Sequence, residues 1–312
     1  MLLVLGLLAC AGRGQHGALG WSLGGEAHVF VADDRFARDF YRQLAGGSAK
    51  DVMDALEGRS VVAVDARRAR SATVLSANGA APGRLTLARF HAPRTCGYSG
   101  LVTELVFAFP PGGAAGRSAP PSHVTVVALL DAPPFAGGPG RSARALLPSE
   151  SRALVRRVAE QAEHATRGRF LGLLHAPVVD ADQAADAGEV VPLGSGYAVG
   201  FRATYVTGGA GDTTLITGVA ATDTGLQRLR WVVRPQRLRL RGGMISSPLS
   251  STRRGGQGVR YSLRGAVAAA GGTALLLVDE IADVSPRDSR ATAVDPETQR
   301  VVAAQPLALR CP

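Results

Sequence analysis

The chain has 312 residues, 46 % of them hydrophobic and 19 % charged, a balance that excludes a disordered chain and supplies a sizeable core. Basic residues outnumber acidic ones 35 to 25, so anionic partners come under consideration at once. Only Lys50 among the basic residues is a lysine, and Ala49 and Asp51 flank it, which excludes a phosphate-binding loop of the Gly-Lys-Ser/Thr kind.

Leu2 to Ala9 is an apolar run, too short to cross a bilayer and suited to a signal-peptide core. Leu7-Leu8-Ala9-Cys10 resembles the bacterial lipobox. That resemblance implies lipid attachment at Cys10, loss of the residues before it, and an envelope lipoprotein of the periplasm or cell surface. The overlapping Ala9-Cys10-Ala11 fits ordinary secretion, which would discard Cys10. A third reading is an apolar first strand with no export role. Either export route leaves Cys96 and Cys311 as the remaining pair, and an oxidising compartment predicts a disulfide between them.

The processed segment is placed at 1–11 and a linker at 12–26, followed by a strand at Ala27–Ala32. Asp33 or Asp34 can cap a helix over "RFARDFYRQLA", in which Phe36, Phe40 and Leu44 share a face. A short helix is expected near Asp51–Leu56. Strands are predicted at 60–66, 71–77, 83–91, 101–109 and 122–131. In "GRLTLARF", Leu85 and Leu87 alternate against Arg84, Thr86 and Ala88. Eight of the 18 prolines fall between Pro110 and Pro148, marking long loops or a boundary between an N-terminal part, 27–134, and a C-terminal part, 149–312, that can still form one continuous domain. A helix is expected near 149–166, with Leu154, Val155, Val158 and Ala162 as its apolar stripe. Strands then recur every 10 to 15 residues or so to the C-terminus. The expected class is α+β, predominantly antiparallel and sandwich-like, with one long helix near 149–166 and short helices near 34–57.

No catalytic centre declares itself. The six histidines form no H-x-H or H-E-x-x-H pattern, although His91, His123 and His175 all sit at strand ends. Around Ser99, "GYSG" brings its second glycine one position early for a hydrolase elbow, so a turn beside Cys96 is the better reading. Asp180, Asp182 and Asp186 begin like a calcium loop, but Ala185 stands where glycine is needed and Val191 where glutamate is. Neither a cofactor nor a metal is expected.

Charge is the exception to this blandness. Between Thr224 and Val278 there are ten arginines and no acid, so the formal excess of +10 equals the arginine count of this interval. Arg228, Arg230, Arg234, Arg237, Arg239 and Arg241 alternate with apolar residues, a pattern that puts Leu229, Trp231 and Val233 in a core and guanidinium groups opposite. Pro235 breaks the run, and Arg253 and Arg254 follow on a turn-rich loop. This face is expected to bind an anionic envelope component: a lipid headgroup, an acidic glycan or an acidic protein. Nucleic acid is disfavoured, because export would separate it from the protein and only Trp231 and Tyr261 offer stacking nearby. Membrane contact would come through the lipid anchor. The alternatives are a secreted hydrolase with dispersed catalytic residues and a carrier of a small apolar ligand or peptide.

Overall fold

The computed structural model describes residues 16–23, 25–46, 50–66, 71–76, 79–109, 126–130, 141–165, 188–206, 212–241, 244–248, 259–268, 274–282 and 286–312. Cys10, Arg253, Arg254, His123 and His175 lie outside them.

The first part comprises β1 (His16–Leu23), β2 (Glu26–Val31), α1 (Asp34–Ala45), α2 (Val52–Ala55), β3 (Val61–Asp65), β4 (Ser71–Ser76), β5 (Gly79–His91), β6 (Val102–Ala108) and β7 (Val126–Leu130). Every pairing is antiparallel, and the ladder closes on itself in the order β1-β2-β6-β5-β4-β7, with β7 returning to β1. The result is a six-stranded barrel, with β3 continuing beside β5 past the end of β4. Inward residues such as Val29, Val74, Leu85, Phe90, Leu105 and Phe107 fill it, as expected for so small a barrel. The Asp33 carboxylate caps α1 by accepting from the Phe36 amide at 2.7 Å. Helix α1 then sets Ala37 and Tyr41 into this core, with the Tyr41 ring edge-on to Phe90.

Strand β1 corrects the sequence expectation, since 16–23 falls within the stretch read as linker. The glycines of this stretch permit close packing. A Cβ on Gly17 would lie 2.6 Å from the Val302 carbonyl oxygen, and one on Gly20 only 1.8 Å from that of His28. Only glycine fits such an approach.

The second part comprises β8 (Arg141–Ser142), β9 (Arg144–Ala145), α3 (Pro148–Ala165), β10 (Gly188–Leu193), β11 (Gly196–Val206), β12 (Asp212–Asp223), β13 (Leu229–Arg241), β14 (Met244–Pro248), β15 (Val259–Ala268), β16 (Ala274–Ala282), β17 (Arg290–Val294) and β18 (Val301–Pro306). They make two antiparallel sheets, ordered β14-β13-β12-β11-β10-β9 and β18-β17-β16-β15-β8. The layers follow from who packs on whom. Val267, Leu275, Leu277 and Ala293 of the β15–β18 sheet meet Leu19, Leu75, Val127 and Leu129 on the outer barrel wall. The opposite face of that sheet, through Leu263, Leu276 and Val278, meets Val191, Val219 and Val232 of the other sheet. Leu154 and Val158 of α3 cover the far face through Val190, Val199 and Phe201. The fold is thus predominantly antiparallel β, stacked as barrel, sheet, sheet and helix. No described helix is long and apolar enough to cross a membrane.

Beta-bulges change which residues face inward. In β5 the register shifts between Leu85 and Leu87, so Leu85, Ala88 and Phe90 enter the barrel core while Leu87 stays half-buried. In β13 the register shifts around Val232. Leu229 and Trp231 therefore pack under α3, whereas Val232 and Val233 join the core between the sheets. A strict two-residue alternation had placed Leu229, Trp231 and Val233 together. Pro235 sits in this irregularity, where the ladder does not need its missing N–H, and a single strand, β13, runs through it.

Candidate functional site

The β5 bulge sends Arg89 and His91 to the outside of the barrel wall, a recognised use of an extra strand residue. There they meet Glu104 of β6 and His28 of β2. Glu104 is 3 % exposed. Its Oε1 accepts from His28 Nδ1 at 2.8 Å and from the Arg89 guanidinium at 2.7 Å. Its Oε2 accepts from His91 Nε2 at 3.0 Å. Burial alone would raise the Glu104 pKa, but the two histidine hydrogen bonds and the Arg89 charge outweigh it and hold the carboxyl at about 2. Glu104 is therefore an ionised acceptor at neutral pH, and both histidines must donate to it. Trp21 stacks on His28 and on Phe30 along the same wall.

Beyond His91 lies the Cys96–Cys311 disulfide, bridging residues 215 apart in sequence. The chain from Ala92 to Gly100 turns tightly, with Gly97 at φ 73°, and delivers Cys96 to a pocket with Phe30, Val102, Tyr98 and Leu309. The C-terminal tail arrives from β18, and the Arg310 amide donates to the Cys96 carbonyl at 3.0 Å. Ser99 is exposed in this turn, and a strand, not a helix, follows it. The two sulfurs and a ring nitrogen of His91 lie within 4.8 Å of one another. His91 is 2 % exposed, and its Nδ1 has no hydrogen-bond partner among the described residues.

The arginines of the acid-free interval have mixed fates. Arg230 donates to the Pro296 carbonyl at 2.8 Å and reaches Glu297 at 3.4 Å. Arg264 is paired with Asp279 at 2.6 Å. Carboxylates from other parts of the chain thus engage some of the excess charge. Arg228 and Arg234 are exposed and have no ion pair among the described residues. Arg237, Arg239 and Arg241 lie on β13, with only their backbone described.

A second arginine group stands on α3. Arg152, Arg156 and Arg157 of α3 line a cleft of about 450 Å³, together with Ala153, Glu160, Leu226 and Gln227. The turn after β12 closes it. Leu226 adopts φ 55°, and the Asp223 carboxylate accepts from the Gln227 amide at 2.7 Å. Arg157 is held by Glu160 at 2.7 Å and by the Gln227 side-chain oxygen. Arg152 and Arg156 are exposed with no ion pair among the described residues. Arg228 directly follows Gln227, so the helix group and the first arginine of the acid-free interval occur on adjoining elements.

Sequence reasoning paired Cys96 with Cys311 but missed the carboxylate between two histidines. Residues 28, 89, 91 and 104 come from three strands with no shared local motif. The only available signal was that Arg89, His91 and Glu104 are polar interruptions in otherwise apolar strands. The acidic loop at 180–186 lies outside the described residues. Compared with family models, curated proteins and solved structures, the chain matches none.

Proposed function

We propose that the chain is an exported binding protein of the bacterial cell envelope that holds an anionic partner through arginine side chains. The observation carrying this reading is the cleft in which Arg152, Arg156 and Arg157 stand against one carboxylate, Glu160. Arg228 and Arg234 extend the basic surface, and Arg237, Arg239, Arg241, Arg253 and Arg254 belong to the same proposal. Guanidinium groups suit phosphate, sulfate and carboxylate because their donors form a rigid fork. The disulfide supports an oxidising compartment, and the Leu7–Cys10 sequence supports lipid attachment at Cys10. In class, the chain reads as α+β, with α1, α2 and α3 as its helical component.

The test is sedimentation with anionic and neutral lipid vesicles. Each surface arginine contributes about 1 kcal/mol near anionic lipid. Arg152→Glu with Arg156→Glu is expected to weaken anionic binding at least about tenfold, with no effect on neutral vesicles. Equal binding by parent and double variant removes the cleft from the proposal. Arg230→Glu is expected to lower stability more than binding, because its guanidinium is already engaged. For anchoring, Cys10→Ser is expected to release the expressed protein from the membrane fraction, and retention in that fraction argues against a lipid there.

A further inference from the structure

The corner formed by His91, Cys96 and Cys311 carries more than a structural cross-link. A buried imidazole nitrogen with no partner is unusual, because burying a polar atom without a hydrogen bond is unfavourable. Here the hydrogen bonding sets the orientation of the ring. His91 Nε2 faces Glu104 Oε2 at 3.0 Å, which leaves Nδ1 as the nitrogen free to act as a ligand. No donor among the described residues meets that nitrogen, and the His91 ring brings a nitrogen within 4.8 Å of both sulfurs. A carboxylate that fixes one imidazole nitrogen of a ring lying beside two cysteine sulfurs is the orienting arrangement found behind metal-binding histidines.

We propose that reducing the Cys96–Cys311 bridge converts this corner into a binding site for one thiophilic cation, with zinc as the type case. The ligands would be the Cys96 and Cys311 thiolates and His91 Nδ1, with a fourth position open to solvent or an exogenous ligand. The chemistry balances. A dithiol reductant gives two electrons and two protons to the bridge and closes to its own disulfide. The two new thiols release those protons as the cation binds. Two thiolates and an imidazole suit zinc, at about 2.3 Å to sulfur and 2.0 Å to nitrogen. Oxygen-preferring cations such as magnesium are disfavoured.

Two of the three ligands are held by the fold. His91 ends a strand paired on both sides, and Cys96 is fully buried in its turn. Cys311 is partly exposed and lies outside any strand or helix, after β18, so its thiolate is the one placed to adjust to the cation. Arg89 and His28 face Glu104 rather than the sulfurs, and they hold the carboxylate that orients His91. The oxidised protein has no thiolate to offer, so metal affinity would depend on redox state.

The experiment uses the full chain carrying Cys10→Ser, so that no third thiol contributes. The protein is reduced with a phosphine, freed of reductant and titrated with zinc against a chromophoric chelator. Cobalt serves as the spectroscopic probe of thiolate ligation. The reduced protein is expected to bind one equivalent with thiolate-to-cobalt absorption, and the oxidised protein none. His91→Asn is expected to weaken binding at least about tenfold, and Glu104→Gln by about 10- to 100-fold. Cys311→Ser, which frees only the tail, is expected to abolish the cobalt absorption while retaining the folded circular dichroism. Equal binding by oxidised and reduced protein, or by His91→Asn and its parent, would overturn the site. So would a reduced chain that unfolds and does not recover when zinc is added.

Discussion

Glu104 shows how much a single buried charge can determine. Three donors from two other strands converge on it, and without them its burial would be strongly unfavourable. Its folded-state pKa of about 2 lies below the ordinary 4.5. The stability it contributes is therefore complete above about pH 4.5 and is lost as pH falls towards 2, on the order of 3 kcal/mol. Glu104→Gln is expected to lose about that much at pH 7, with the gap from the parent narrowing as pH approaches 2. Urea titrations at the two pH values check it, and a gap independent of pH would contradict the account. The Cys96–Cys311 bridge was legible because only two cysteines remained once Cys10 was set aside. The His28–Glu104–His91 group was not, because its members are single outward residues on strands whose neighbours depend on barrel closure.

At the level of strands and helices, period-two patterning located most described strands, but alternation failed at bulges. The shift after Leu85 puts Arg89 and His91 outside and Phe90 inside, and no local signal in "GRLTLARF" announces it. The shift at Val232 likewise divides Trp231 from Val233, because β13 is covered on both faces instead of one. Strand β1 falls within 12–26, expected as linker, and its glycines are what let the backbone approach closely there. Gly20→Ala is accordingly expected to disrupt the β1–β2 ladder, losing roughly 3 kcal/mol or more, as measured by thermal unfolding. On the far side of the molecule, Leu154 is fully buried under α3. Leu154→Ala is expected to lose about 2–5 kcal/mol and to loosen the helix that carries the cleft arginines. Unchanged stability in either variant would mean that the packing described for that element is wrong.

Across the whole molecule, the disulfide ties the segment after β18 to the turn between β5 and β6. Closing a loop of 215 residues removes about 5 kcal/mol of unfolded-state entropy by the chain-entropy estimate. Reduction is expected to lower the unfolding temperature correspondingly, with β18 and the tail exchanging first. The same stacking separates the two candidate regions, with the histidine–carboxylate group on the barrel wall and the arginine cleft beyond both sheets beside α3. Charge counting found the acid-free interval but could not show that Glu297 and Asp279 come back to pair with Arg230 and Arg264. Nor could it show that a helix supplies arginines to a cleft beside Gln227. The most direct measurement is amide hydrogen exchange of the full chain with and without a sulfated oligosaccharide. Protection concentrated at 152–160 and 224–228 is the predicted result; protection absent there, or spread evenly over the surface, would contradict the proposed anion-binding site.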